Sequence, residues 1–107
     1  MIGGNEKFTI VNEDGEIGHS AGLLLYYGKT VCDDGFSDNS ANAICRLMGY
    51  PGAISWRNGQ LSEIQFYLYI GLDNVNCSSG SWESCNFTTL HDCSHIEDIH
   101  LMCEMAG

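Results

Sequence analysis

The sequence predicts a small disulfide-rich α+β domain in which a curved antiparallel sheet packs on one main α-helix, about residues 38–48, with long stapled loops between elements. Three observations predict it. Six cysteines, an even number, fall within 107 residues, a density that marks an oxidising compartment and a bridged framework. One segment carries an apolar period of 3.6, and several short segments carry strand signals. The length suits one domain over residues 1–107 with a single modest core, and 44% apolar with 17% charged residues is an ordinary globular composition.

Phe8-Thr9-Ile10-Val11 is a short strand, followed by a polar turn through Asn12, Asp14 and Gly15. Leu23-Leu24-Leu25-Tyr26-Tyr27, bounded by Gly22 and Gly28, reads as a buried strand, and Lys29-Thr30-Val31 returns as its hairpin partner. In the helix, Ala41, Ile44, Cys45 and Met48 fall at i, i+3, i+4 and i+7 and line one face. Ser37 or Asp38 can cap its start, and Gly49, with Pro51 just beyond, can end it. Ile64, Phe66, Leu68 and Ile70 alternate with Gln65, Tyr67 and Tyr69, the pattern of a half-buried strand. Leu101, Cys103 and Met105 alternate in the same way. Residues 52–63 and 76–98 read as polar loops, the second holding three of the six cysteines. Loops of that length need staples or ligands to stay ordered.

Fourteen acidic against four basic residues give a net charge of −10. Such a surface repels a phosphate backbone, which excludes nucleic acid, and suits inorganic cations or basic partner proteins. No stretch approaches the ~20 apolar residues of a membrane span, so no membrane insertion by this chain is expected. Residues 1–20 contain no apolar run that reads as a signal peptide. The cysteine spacings lack a C-x2-C pair, which favours disulfides over zinc; His91, Cys93, His95 and His100 keep zinc as the alternative. No serine near these histidines sits in a nucleophile elbow, and no catalytic site is expected.

Val31-Cys32-Asp33-Asp34-Gly35-Phe36, Ala41-Asn42-Ala43-Ile44-Cys45-Arg46-Leu47-Met48-Gly49-Tyr50, Ile70-Gly71-Leu72-Asp73-Asn74-Val75-Asn76-Cys77 and Cys93-Ser94-His95-Ile96-Glu97-Asp98 resemble, in family order, the scavenger receptor cysteine-rich domain. The resemblance runs over residues 18–104 and, with six cysteines, is closest to the group A form. It implies the bridges Cys32 to Cys93, Cys45 to Cys103 and Cys77 to Cys85, a choice among many connectivities that the sequence alone leaves open. It also implies an extracellular location, secreted or in an ectodomain. The chain departs from the family pattern at the shortened hairpin Tyr27-Gly28-Lys29, at Phe36, at Asn74 and at Ser79-Gly80-Ser81.

A bridge from Cys32 to Cys93 would set their α-carbons about 5.5 Å apart and bring Asp33 and Asp34 beside Glu97 and Asp98. Carboxylates so crowded either raise a pKa or recruit a cation, and oxygen donors favour Ca²⁺ or Mg²⁺. The resemblance implies that Asp33, Asp34 and Glu97 form such a site and leaves Asp98 a supporting or capping role. Asp73 and Asn74 form a possible second site, or an Asx turn. The expected function is an extracellular recognition module whose cation engages a protein or a polyanionic, microbial-surface ligand; the alternative is a spacer or accessory domain. Asn86 and Asn76 head N-glycosylation sequons. Tyr26, Trp56, Tyr67, Tyr69 and Trp82 are candidates for contact surface, half or more of them expected in the core.

Overall fold

The computed structural model describes residues 7–105. Its strands are β1 (Phe8–Val11), β2 (Ala21–Tyr26), β3 (Lys29–Val31), β4 (Ala53–Arg57), β5 (Ile70–Cys77), β6 (Cys85–Thr88) and β7 (His100–Cys103), with one helix, α1 (Asp38–Leu47). The sheet runs β4-β7-β2-β3-β5-β6, and β1 also pairs with β2. The expected hairpin forms, Leu25 opposite Thr30. The sheet is mixed where antiparallel pairing throughout is expected, because β3 and β5 run parallel. The chain leaves β3, passes through α1 and β4, and returns to β3's side, and such a crossover is what parallel neighbours require.

Helix α1 starts where Ser37 accepts from the Ser40 N–H at 3.4 Å and Ser40 Oγ accepts from the Ser37 N–H at 3.2 Å, a reciprocal cap. Ser40 Oγ also donates to the Val75 carbonyl at 2.8 Å, so one side chain both caps the helix and pins it to β5. The helix buries Ala41, Ala43, Ile44 and Cys45 against Phe8, Leu24, Val31, Leu72, Val75, Ile99 and Leu101. Met48 lies partly buried at the edge of this core.

Residues 64–69 do not form the strand their alternation predicts, and Ile70 opens β5 instead. Glu63–Tyr67 is a 3-10 helix, and its inward residue is polar: Gln65 is fully buried while Phe66, Tyr67 and Tyr69 are exposed. Gln65 takes the Ser62 N–H on its carbonyl at 2.7 Å and donates to the His95 carbonyl at 3.1 Å and to Asp98 Oδ2 at 3.0 Å. These polar contacts outweigh the apolar period. Strand β4 lies inside the segment read as the first loop and β6 inside the second; both are edge strands of the sheet order with no fully buried residue, so neither carries an apolar alternation.

The disulfides join Cys32 to Cys93, Cys45 to Cys103 and Cys77 to Cys85. The second ties α1 to β7. Phe36 packs edge-on against Trp56, centroids 4.9 Å apart. Trp82 stacks on Phe87 and meets Phe8 edge-on. Tyr26, Trp56 and Trp82 thus cover the core, whereas Tyr67 and Tyr69 face solvent.

Candidate cation site

The Cys32–Cys93 bridge holds the α-carbons 6.5 Å apart, and beside it Cys32 pairs with Asp98 in an isolated antiparallel bridge. The two acidic segments are therefore fastened together both covalently and by backbone. Asp33 and Asp34 come from the turn that follows β3, where Gly35 (φ 73°) reverses the chain so tightly that a Cβ there would lie 3.3 Å from the Asn74 Cα. Glu97 comes from the short 3-10 helix His95–Glu97, which its own carboxylate caps by accepting the Ser94 N–H at 2.9 Å.

Asp33, Asp34 and Glu97 each place a carboxylate oxygen within 4.8 Å of the others. Asp33 and Glu97 are half-buried and Asp34 is exposed. Asn58, from the loop after β4, donates its amide to Asp33, and the neighbouring Gly59 N–H donates to the Ile96 carbonyl at 2.9 Å. That loop thus braces both walls of the cluster.

Asp34 also belongs to a second acidic group, with Asp73 and Asp92, next to Cys93. Cys93 is bridged, so its sulfur is no thiolate and the donors are carboxylates alone. Asp73 is buried and turned inward, its Oδ1 accepting the Asn74 N–H at 2.8 Å, while Asn74 is exposed with φ 55°. The neighbouring Asp73 holds the Asp34 carboxyl above its ordinary 3.8, with burial and then Asp33 and Asp92 adding to the effect.

Asp98 takes no part in either group. It is fully buried, with Oδ2 2.8 Å from His95 Nδ1 and accepting from Gln65 Nε2. His91 Nδ1 accepts the Cys93 N–H at 3.3 Å. Among the described residues, no candidate metal group includes a histidine. The sequence does not point to Asn58, whose approach depends on β4 pairing with β7. Asp92 carries a faint signal: it precedes Cys93 as Asp33 and Asp34 follow Cys32, and the bridge brings it beside Asp34.

The scavenger receptor cysteine-rich family model matches residues 16–104. The chain belongs to the scavenger receptor cysteine-rich family. Lysyl oxidase homolog 2 of Xenopus tropicalis is 39% identical over 87 residues, 75% of this chain and 11% of that protein. Lysyl oxidase homolog 4 of Homo sapiens is 32% identical over 106 residues, 94% of this chain and 14% of that protein. The chain thus spans a small fraction of the length of these relatives. Among solved structures, the third scavenger receptor cysteine-rich domain of murine neurotrypsin aligns with TM-score 0.59 and 29% identity, covering 94% of this chain and 99% of that one. The dimeric form of the domain from mouse MARCO aligns with TM-score 0.55 and 27% identity, covering 92% and 84%. Scavenger receptor cysteine-rich domains are extracellular, non-catalytic modules of recognition or accessory type. No helix among the described residues is long and apolar enough to cross a membrane.

Proposed function

We propose that this domain is an extracellular recognition module that engages its ligand through a Ca²⁺ or Mg²⁺ ion held by Asp33, Asp34 and Glu97. The observation that carries the reading is the convergence of three carboxylates, from two segments fastened by a bridge, to within 4.8 Å. The donor set is all oxygen and fits a hard cation. With Asp34 pressed by its neighbours, a divalent ion relieves repulsion that the metal-free chain must bear.

A cation bound at an exposed cluster keeps coordination positions open to an anionic group. That accounts for how a chain of net charge −10 can take a polyanionic or protein ligand: the ion supplies the attraction that four scattered basic residues do not. The second reading, an accessory domain with no cation-dependent ligand, draws support from the small share of the lysyl oxidase homologues that the chain spans.

Titration of the oxidised domain with Ca²⁺ separates the two. The recognition model expects saturable binding, reversed by chelator, with amide shifts at Asp33, Asp34 and Glu97. Binding to the native state alone raises stability by about 2.7 kcal/mol at a hundredfold excess over the dissociation constant. Absence of binding at millimolar Ca²⁺ leaves the accessory reading.

A further inference from the structure

The two glycosylation sequons, ten residues apart in the chain, are brought together by the fold. Asn76 on β5 and Asn86 on β6 are direct cross-strand partners, one register step from the Cys77–Cys85 pair. Both asparagines are exposed. In each sequon the middle residue turns away from solvent or onto neighbouring rings: Cys77 is buried, and Phe87 stacks on Trp82 and approaches Tyr26. Of the sequon hydroxyls, Ser78 is exposed just beyond β5, whereas Thr88 is half-buried opposite Asp73, with its Oγ1 accepting the Leu90 N–H at 3.1 Å. The ribbon therefore presents the two acceptor asparagines on one face at one height.

Directly opposite residues on an antiparallel pair have Cβ atoms about 4.5–5.5 Å apart, and their side chains stand roughly perpendicular to the sheet. The first sugar of an N-linked chain, with its acetamido group and the branches beyond, is wider than that gap. Two glycans rooted there would have to splay apart and strain a ladder already irregular between Asp73 and Asn76.

We infer that Asn76 and Asn86 are mutually exclusive glycosylation sites and that Asn86 is the one occupied. Asn86 lies on β6, the last strand in the sheet order, and the residue after it is not cross-linked. Asn76 lies on the inner strand of the ribbon, and its sequon runs through a half-cystine whose partner is only 8 residues on. That small ring closes locally and fixes Asn76 against β6. The inference rests on passage through the secretory route, which the bridges and the family both imply.

The test is intact-mass analysis of the chain secreted from mammalian cells behind an added leader, with and without amidase release of glycans in ¹⁸O water to mark the site. The same samples are assayed for free thiols, so that misfolded material is recognised. The expected result is one glycan per chain, at Asn86, with Ser78→Ala leaving the mass pattern unchanged. Thr88→Ala keeps the asparagine but removes its acceptor function, and Asn76 occupancy then rises from trace to the major form. Chains carrying two glycans, fully bridged chains carrying none, or a wild type occupied at Asn76 would overturn the inference. So would an Asn76 that stays bare in Thr88→Ala, because the neighbouring glycan would then not be what excludes it.

Discussion

Asp34 is the residue at which the proposed cation site would carry a cost in the metal-free fold. Its carboxyl is held above its ordinary 3.8, first by Asp73, which means that the folded chain binds that proton more tightly than the unfolded chain does. The metal-free fold therefore gains stability as pH falls through this group's folded pKa, and loses it as pH rises through the same window. Asp34→Asn is expected to raise the melting temperature of the chelator-treated domain at neutral pH, to flatten its acid-side pH dependence, and to abolish Ca²⁺ binding; calorimetry with and without Ca²⁺ reads all three. In the wild type, protons compete with the cation from a higher pH than at an isolated aspartate, so affinity should weaken early on acidification. At this scale the sequence is partly legible. The motif residues Asp33, Asp34 and Glu97 are brought together in space, but Asn58 is placed by strand pairing alone, and Asp73 and Asn74 look equivalent until the pleat turns one inward and the other out.

Elements built on apolar periodicity were readable and those built on polar anchoring were not. Phe8–Val11 and the β2–β3 hairpin bury apolar runs that the sequence announces, and α1 and β7 bury sets that their periods announce. The Glu63–Tyr67 helix inverts that logic by burying Gln65 and exposing Phe66 and Tyr67. Strands β4 and β6 bury no residue fully, and β5 hides an aspartate, so none of them has a clean alternation. The Gln65 latch has a consequence for the site. By holding the His95 carbonyl and Asp98, it steadies the short helix that carries Glu97. Gln65→Ala breaks hydrogen bonds worth about 0.5–1.5 kcal/mol each and leaves Asp98 short of a partner. We expect a loss of about 2–4 kcal/mol in chemical denaturation, together with weaker cation affinity, whereas Phe66→Ala on the exposed side should change neither by more than about 0.5 kcal/mol.

Across the whole molecule the bridges divide their roles. Cys32–Cys93 and Cys45–Cys103 close chain segments of similar length, with separations of 61 and 58 residues, and loop entropy assigns each about 4 kcal/mol. Their energetic contributions are alike but their positions differ. Replacing Cys45 and Cys103 by alanine should destabilise the domain while preserving Ca²⁺ affinity in the molecules that remain folded. Replacing Cys32 and Cys93 should cost a similar amount and also release the Asp33–Asp34 turn from the Glu97 segment, so that affinity collapses. Parallel denaturation and Ca²⁺ titration of the two double variants distinguish a bridge that only stabilises from one that also builds the site.

Strand β2 receives both ends of the described chain, at opposite extremities: the Lys7 carbonyl accepts the Tyr27 N–H, and the Cys103 N–H donates to the Ser20 carbonyl. Both β1 and β7 run antiparallel to β2, so tension applied at the two ends pulls along the strand axes and loads whole rows of hydrogen bonds in shear instead of opening them one at a time. The covalent network then limits what can yield. With Cys32 tied to Cys93 and Cys45 to Cys103, a pull passes from residues 7–32 into the two segments that join the bridges, 32–45 and 93–103, which carry Asp33, Asp34 and Glu97, while residues 46–92 are bypassed by the load. Tension along the chain therefore reaches the acid cluster through the same bridge that assembles it.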